Sequence, residues 1–249
     1  MKLKLTITGL ILFTGLVTVS IKAQEYRQKK QYVETINGFA ALQLGIPSES
    51  MQKAIKNNMG NLGFGGGFAV LTNPFSWGKN KRNSPLRIGG EAGYTYYGRF
   101  LSEVNINGYK GDFKTSYGIL QLNGVVQLRP PVAEAITPFI DILAGGDFYL
   151  SRTKENLDFI ESSLGVQFAD LDNYSSASFN KGIAVGCYIG NHKDPDAARF
   201  MIRVSYNRGN SIKYIIRNSL EYNAGNGSLV YYVDKAPVNY FMVQIGVGR

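Results

Sequence analysis

Along 199–207 apolar and polar residues alternate: Phe200, Ile202, Val204 and Tyr206 hold the even positions, and Arg199, Arg203, Ser205 and Asn207 hold the odd ones, joined by Met201. A period of two marks an extended strand with one greasy and one polar face. The pattern recurs. Strands are predicted at 35–46, 61–71, 86–100, 112–128, 138–152, 175–190, 199–207 and 238–249. No amphipathic helix of matching size is available to cover so many apolar faces. A closed antiparallel barrel, apolar outside and polar inside, satisfies every strand at once and leaves no open edge in lipid. The expected fold class is therefore all-β, a transmembrane β-barrel with a filled polar lumen. Eight strands are expected. A further alternating run (Ile212, Tyr214, Ile216, Leu220, Tyr222), with 229–233 pairing back on it, leaves ten as the alternative: a hairpin above the membrane, or two more spanning strands.

The connections sort by length. The long ones, 153–173 and 208–237, fall at odd places in the chain order, and the compact 129–137 and 191–198 fall at even ones. Outer-membrane barrels have short periplasmic turns and long outer loops, so the long segments are assigned to the outside. Residues 47–60 and 101–110 read as polar loops, the first with a short helix within 49–58. Arg129-Pro130-Pro131 stops the fourth strand, because proline cannot donate to a ladder. In the second strand Gly63, Gly65 and Gly67 leave one face bare, which allows bulky side chains from across the lumen to approach the backbone.

Upstream of the strands, Met1-Lys2-Leu3-Lys4 is followed by an apolar run to about Ile21 and then Lys22-Ala23-Gln24. A basic start, a short apolar run and a small residue read as a secretory signal peptide over 1–23, with 24–34 a periplasmic lead-in and 35–249 the barrel. The run is shorter than the ~20 apolar residues of a spanning helix. The expected location is the outer membrane. Losing Lys2, Lys4 and Lys22 lowers the net charge from +9 to +6. That excess suits outer-membrane lipid and lipopolysaccharide as neighbours and is too diffuse for nucleic acid. The single Cys187 excludes an intrachain disulfide and falls on an apolar face, where it reads as a small hydrophobe.

Ala23-Gln24, the Gly-rich aromatic run Gly89-Gly90-Glu91-Ala92-Gly93-Tyr94 and the closing Gln244-Ile245-Gly246-Val247-Gly248 carry a resemblance. The chain resembles the small outer-membrane β-barrel proteins of Bacteroidota, the group with an OmpA-like transmembrane barrel. The likeness covers most of 35–249 and implies architecture rather than activity. Such barrels often end in an aromatic residue where this chain has Arg249, so recognition by the assembly machinery is expected to rest on Phe241, Val243, Ile245 and Val247.

Facing each polar side inward collects Arg87, Glu91, Arg99, Arg129, Asp141, Asp147, Arg199 and Arg203. An eight-stranded lumen is just wide enough to be filled by side chains, and charges there must be paired. The expected result is a structural plug of Arg–carboxylate bonds, with a narrow pore or small-solute site as the alternative. Asp141 and Asp147, six apart on one strand, lie roughly 20 Å apart, too far for a catalytic pair. The only histidine, His192, sits in the charged turn 191–196, and no metal spacing appears. No enzyme and no cofactor are expected. Tyr94, Tyr96, Phe100, Phe148 and Tyr206 are expected to form an interfacial girdle on the greasy face, with a docking surface for another membrane protein as the alternative. Leu157, Ile160, Leu164 and Phe168 follow one another at helical spacing among acidic residues. Such a turn in 153–173 either folds back over the barrel mouth or offers a greasy stripe to a partner, such as another outer-membrane protein, which makes it the candidate partner loop. The function expected is a structural or accessory subunit of a larger outer-membrane assembly, with a lipid- or peptide-modifying enzyme the remotest reading.

Overall fold

The computed structural model describes residues 35–55, 62–76, 82–106, 109–130, 135–156, 174–190, 197–215, 221–223, 228–230 and 232–248. Its strands are β1 (Ile36–Pro47), β2 (Gly63–Thr72), β3 (Leu86–Ile106), β4 (Tyr109–Leu128), β5 (Ile136–Asn156), β6 (Tyr174–Ile189), β7 (Arg199–Ile215), β8 (Glu221–Asn223), β9 (Ser228–Val230) and β10 (Val233–Gly248). Eight of them close a barrel in the order β1, β10, β7, β6, β5, β4, β3, β2, each neighbouring pair antiparallel. The strands β8 and β9 form a separate hairpin, so the extra alternating segment adds no stave. A short helix, α1 (Glu49–Ile55), follows β1. Residues 1–34, expected to be a signal peptide and lead-in, lie outside the described residues.

The ladder closes with an offset. Partners followed round from Phe39 through Ala69, Glu91, Asn123, Gly145, Asn180 and Gly209 arrive opposite Val238, ten residues short of Gly248, with which Phe39 itself pairs. Such a stagger goes with the strand tilt that lets a sheet of this size close. Alternation then sorts the side chains. Leu42, Phe68, Ile142, Phe179 and Val247 are each more than half exposed on the outer wall, whereas Arg87, Gln127, Asp141, Asn180 and Arg203 are 1% exposed or less inside. This inverts the sorting of a water-soluble protein, and the greasy outer wall is built to face lipid. On that wall Tyr206 and Phe241, ladder partners, pack with ring centroids 4.8 Å apart.

Among the described residues two bulges reset the alternation. Between Tyr96 and Arg99, β3 carries one more residue than β4, and Gly98 there has φ 90°. A left-handed residue of this kind favours glycine, which has no Cβ to clash. The extra residue turns Arg99 outward and Phe100 inward against the interior cluster. The expectation of Arg99 in the lumen and Phe100 in the girdle is thereby corrected. The second bulge puts an extra residue in β7 near Gly209, beside Pro237, which has no backbone N–H to give the ladder. Past it Ile212 and Tyr214 point inward.

Three segments expected as loops are strand instead. The ladder between β3 and β4 continues to the pair Ile106–Tyr109, so 101–110 is mostly hairpin, and β5 runs on to Asn156. Likewise β7 reaches Ile215 and pairs with β10 from Val233, which takes up both ends of 208–237. Backbone pairing does not stop where side chains turn polar, so hydrophobic alternation underestimates strand length there.

Candidate functional site

Arg203 organises the middle of the lumen. From β7 it donates through Nη1 to Glu91 Oε2 at 2.7 Å and to Gln244 Oε1 at 2.6 Å, and through Nε to Asp141 Oδ2 at 2.8 Å. Its side chain is 1% exposed, Asp141's 0% and Glu91's 11%. The carboxylates are held in turn: Asn123 donates to Glu91 at 2.8 Å and Gln127 to Asp141 at 2.9 Å. Gln244 donates to Gln43 at 3.3 Å, and Gln43 donates to Thr95 at 2.8 Å. The chain of bonds therefore crosses the lumen through β1, β3, β4, β5, β7 and β10. The Phe39 ring lies 5.4 Å from the guanidinium and adds a cation–π contact. One cation against two carboxylates, each with further donors, is the pairing a buried charge requires.

The remaining charged residues fall into two other layers. Arg87 is the second residue of β3, Arg129 follows β4 directly, and Arg199 opens β7, so these buried arginines gather at the end where β2–β3, β4–β5 and β6–β7 connect. There Arg87 donates to the carbonyls of Ser84 and of Leu86, the latter at 3.0 Å, and Arg129 lies 5.9 Å from the Tyr188 ring. Asp147 lies toward the opposite end, accepting from Asn180 at 2.5 Å and from Tyr240 at 3.0 Å. Thus Glu91, Asp141 and Arg203 come together, while Asp147, Arg87, Arg129 and Arg199 stand apart from them and Arg99 leaves the lumen.

Beyond Asp147 the interior turns aromatic. Tyr97, Tyr117, Tyr149 and Tyr240 pack with Ile119, Val238 and Met242, and Met51 of α1 closes on this cluster fully buried. The bare faces of β1 and β2 make room for Tyr97: a Cβ on Gly63 would stand 2.6 Å from its ring, and one on Gly45 2.5 Å from its hydroxyl. The glycine strip thus receives a bulky side chain, but from the adjacent strand β3, one position beyond the Phe64–Tyr96 pair, and not from across the lumen as expected. Among the described residues no group of three or more His, Cys, Asp and Glu could hold a metal. His192 and the candidate loop residues Leu157, Ile160, Leu164 and Phe168 lie outside the described residues.

Alternation placed Glu91, Asp141 and Arg203 inside, but not who bonds to whom, which depends on the stagger of the closed barrel. Met51 was missed as a plug. Its one signal was a short helix directly after β1.

No protein-family model and no curated protein sequence matches the chain. Solved structures similar to it include Neisserial surface protein A, with 9% identity, 88% of this chain and 97% of that one covered, and TM-score 0.43. A major outer membrane protein from Thermus thermophilus aligns at 11% identity over 85% of this chain and 98% of that one, with TM-score 0.48. Ail, the attachment invasion locus protein of Yersinia pestis, aligns at 12% identity over 86% and 97%, with TM-score 0.38. At these values the likenesses add nothing to the fold, which rests on the strand register.

Proposed function

We propose that this chain is a non-catalytic outer-membrane barrel, exported by a cleaved signal peptide, that serves as a structural or accessory subunit of a larger outer-membrane assembly. The observation that carries the reading is the bond network centred on Arg203, which crosses the lumen and leaves its interior occupied by side chains. The aromatic cluster capped by Met51 fills a second stretch of the same lumen. A barrel filled at two levels offers its outer wall and its loops, rather than a passage, as working surfaces. Outer-membrane lipid and lipopolysaccharide surround the greasy wall, and the segment that follows β5, 157–173, is the surface offered to a protein partner. Gentle detergent extraction of native membranes, followed by purification on a tag carried by this chain, tests the role. A protein recovered in stoichiometric amount, and lost when 156–168 is deleted from a barrel that still resists heat, is the expected outcome. Recovery of the barrel alone at native expression level contradicts the accessory role.

A further inference from the structure

Asp147 lies in the loop half of the lumen at 1% exposure with no cation beside it among the described residues. Its Oδ1 accepts both of its hydrogen bonds, and its Oδ2 accepts none. Asn180 Oδ1 and Asn207 Oδ1 are among the other buried oxygens in that state. Asn180 turns its amide nitrogen to Asp147, and Asn207 turns its own to Ser205 at 3.1 Å, so each leaves its oxygen free.

The ladder brings the three residues to one level on successive strands. Asp147 pairs with Ser178, two residues from Asn180, and Asn180 pairs with Gly209, two residues from Asn207. Gly182 supplies the space between: Asn207 Oδ1 stands 2.5 Å from where its Cβ would be, leaning over β6 beside Asn180. Arg203 does not reach this level. It is engaged by Glu91 and Asp141 and sits four residues from Asn207 on β7, about 13 Å along the strand.

A buried carboxylate with no counter-charge is costly, and three unpartnered oxygens add to that cost. A small hard cation removes both at once, since carboxylate and amide oxygens are its preferred ligands. We propose that Asp147, Asn180 and Asn207 form a monovalent-cation site, of the sodium or potassium class, enclosed in the lumen. One carboxylate matches one positive charge. Calcium takes six to eight oxygens, usually with more carboxylate among them, and would leave surplus charge here. The proposal stands independently of the accessory role.

The test refolds the purified full chain in detergent with choline, sodium or potassium chloride at fixed ionic strength and pH 8, and follows the thermal midpoint. The expected result is a saturable rise in sodium or potassium over choline. Asp147→Asn abolishes the cation dependence, and Asn207→Ala raises the half-saturating concentration at least tenfold. Should Asp147→Asn fail to fold, the wild-type and Asn207→Ala titrations decide. Equal midpoints in all three salts, with a rise only on lowering the pH toward 5, would identify a proton as the occupant and overturn the proposal. Saturation by calcium but not by sodium or potassium overturns it as well.

Discussion

Arg203 and Glu91 stand on opposite staves of the barrel, β7 and β3, yet their side chains meet at 2.7 Å. A bond across the full diameter ties the two walls and occupies the space between them. Because Asp141 shares the same guanidinium, the cluster has one positive and two negative groups. Removing the single cation is therefore worse than removing either anion. Arg203→Met leaves two buried carboxylates unpaired and is expected to cost about 3–5 kcal/mol. Glu91→Gln keeps Arg203 paired with Asp141 and is expected to cost about 1–2 kcal/mol, near the worth of one charged hydrogen bond. Urea unfolding in lipid vesicles checks the order. Equal costs for the two changes would mean that the carboxylates are solvated.

Tyr97 presses its hydroxyl toward the bare backbone of Gly45, and that hydroxyl has no partner among the described residues. Tyr97→Phe is accordingly expected to be neutral or slightly stabilising, because it removes an unsatisfied buried group. Gly45→Ala is expected to cost about 1–3 kcal/mol by overpacking. In the Tyr97→Phe background that cost should shrink. A double-mutant cycle measures the coupling, and purely additive effects would contradict the packing described.

Gly98 holds φ 90° at the β3 bulge. Gly98→Ala should cost about 1–3 kcal/mol, the strain of a non-glycine residue in that region. A change below a few tenths in the same unfolding assay would mean that the bulge sits elsewhere.

Much of this barrel was legible in the alternation. Phe200, Ile202, Val204 and Tyr206 read outward and lie outward; Asp141, Asp147 and Arg203 read inward and lie inward. Arg99 was misplaced because a bulge adds one residue and flips every later side chain, and a Gly98 among many glycines does not announce a left-handed turn. The partners within the lumen were illegible for another reason. Glu91 and Arg203 are 112 positions apart, and they meet only because the ladder closes with its particular stagger. No local pattern encodes that offset.

Orientation has its own check. Lys213 and Arg82 are exposed at opposite ends of the barrel, near the long loops and in the connection between β2 and β3. In a Cys187→Ala background, Lys213→Cys should react with a membrane-impermeant maleimide on intact cells, and Arg82→Cys only after the outer membrane is opened. The reverse result would invert the barrel in the membrane.

The central claim is that side chains close the lumen, and planar-bilayer recording of the pure, refolded chain tests it most directly. Single insertions are expected to give no steady current, because the bonds from Arg203 to Glu91, Asp141 and Gln244 cross the interior. A steady, ion-selective current from the wild-type protein would contradict the account and make the barrel a passage for small solutes.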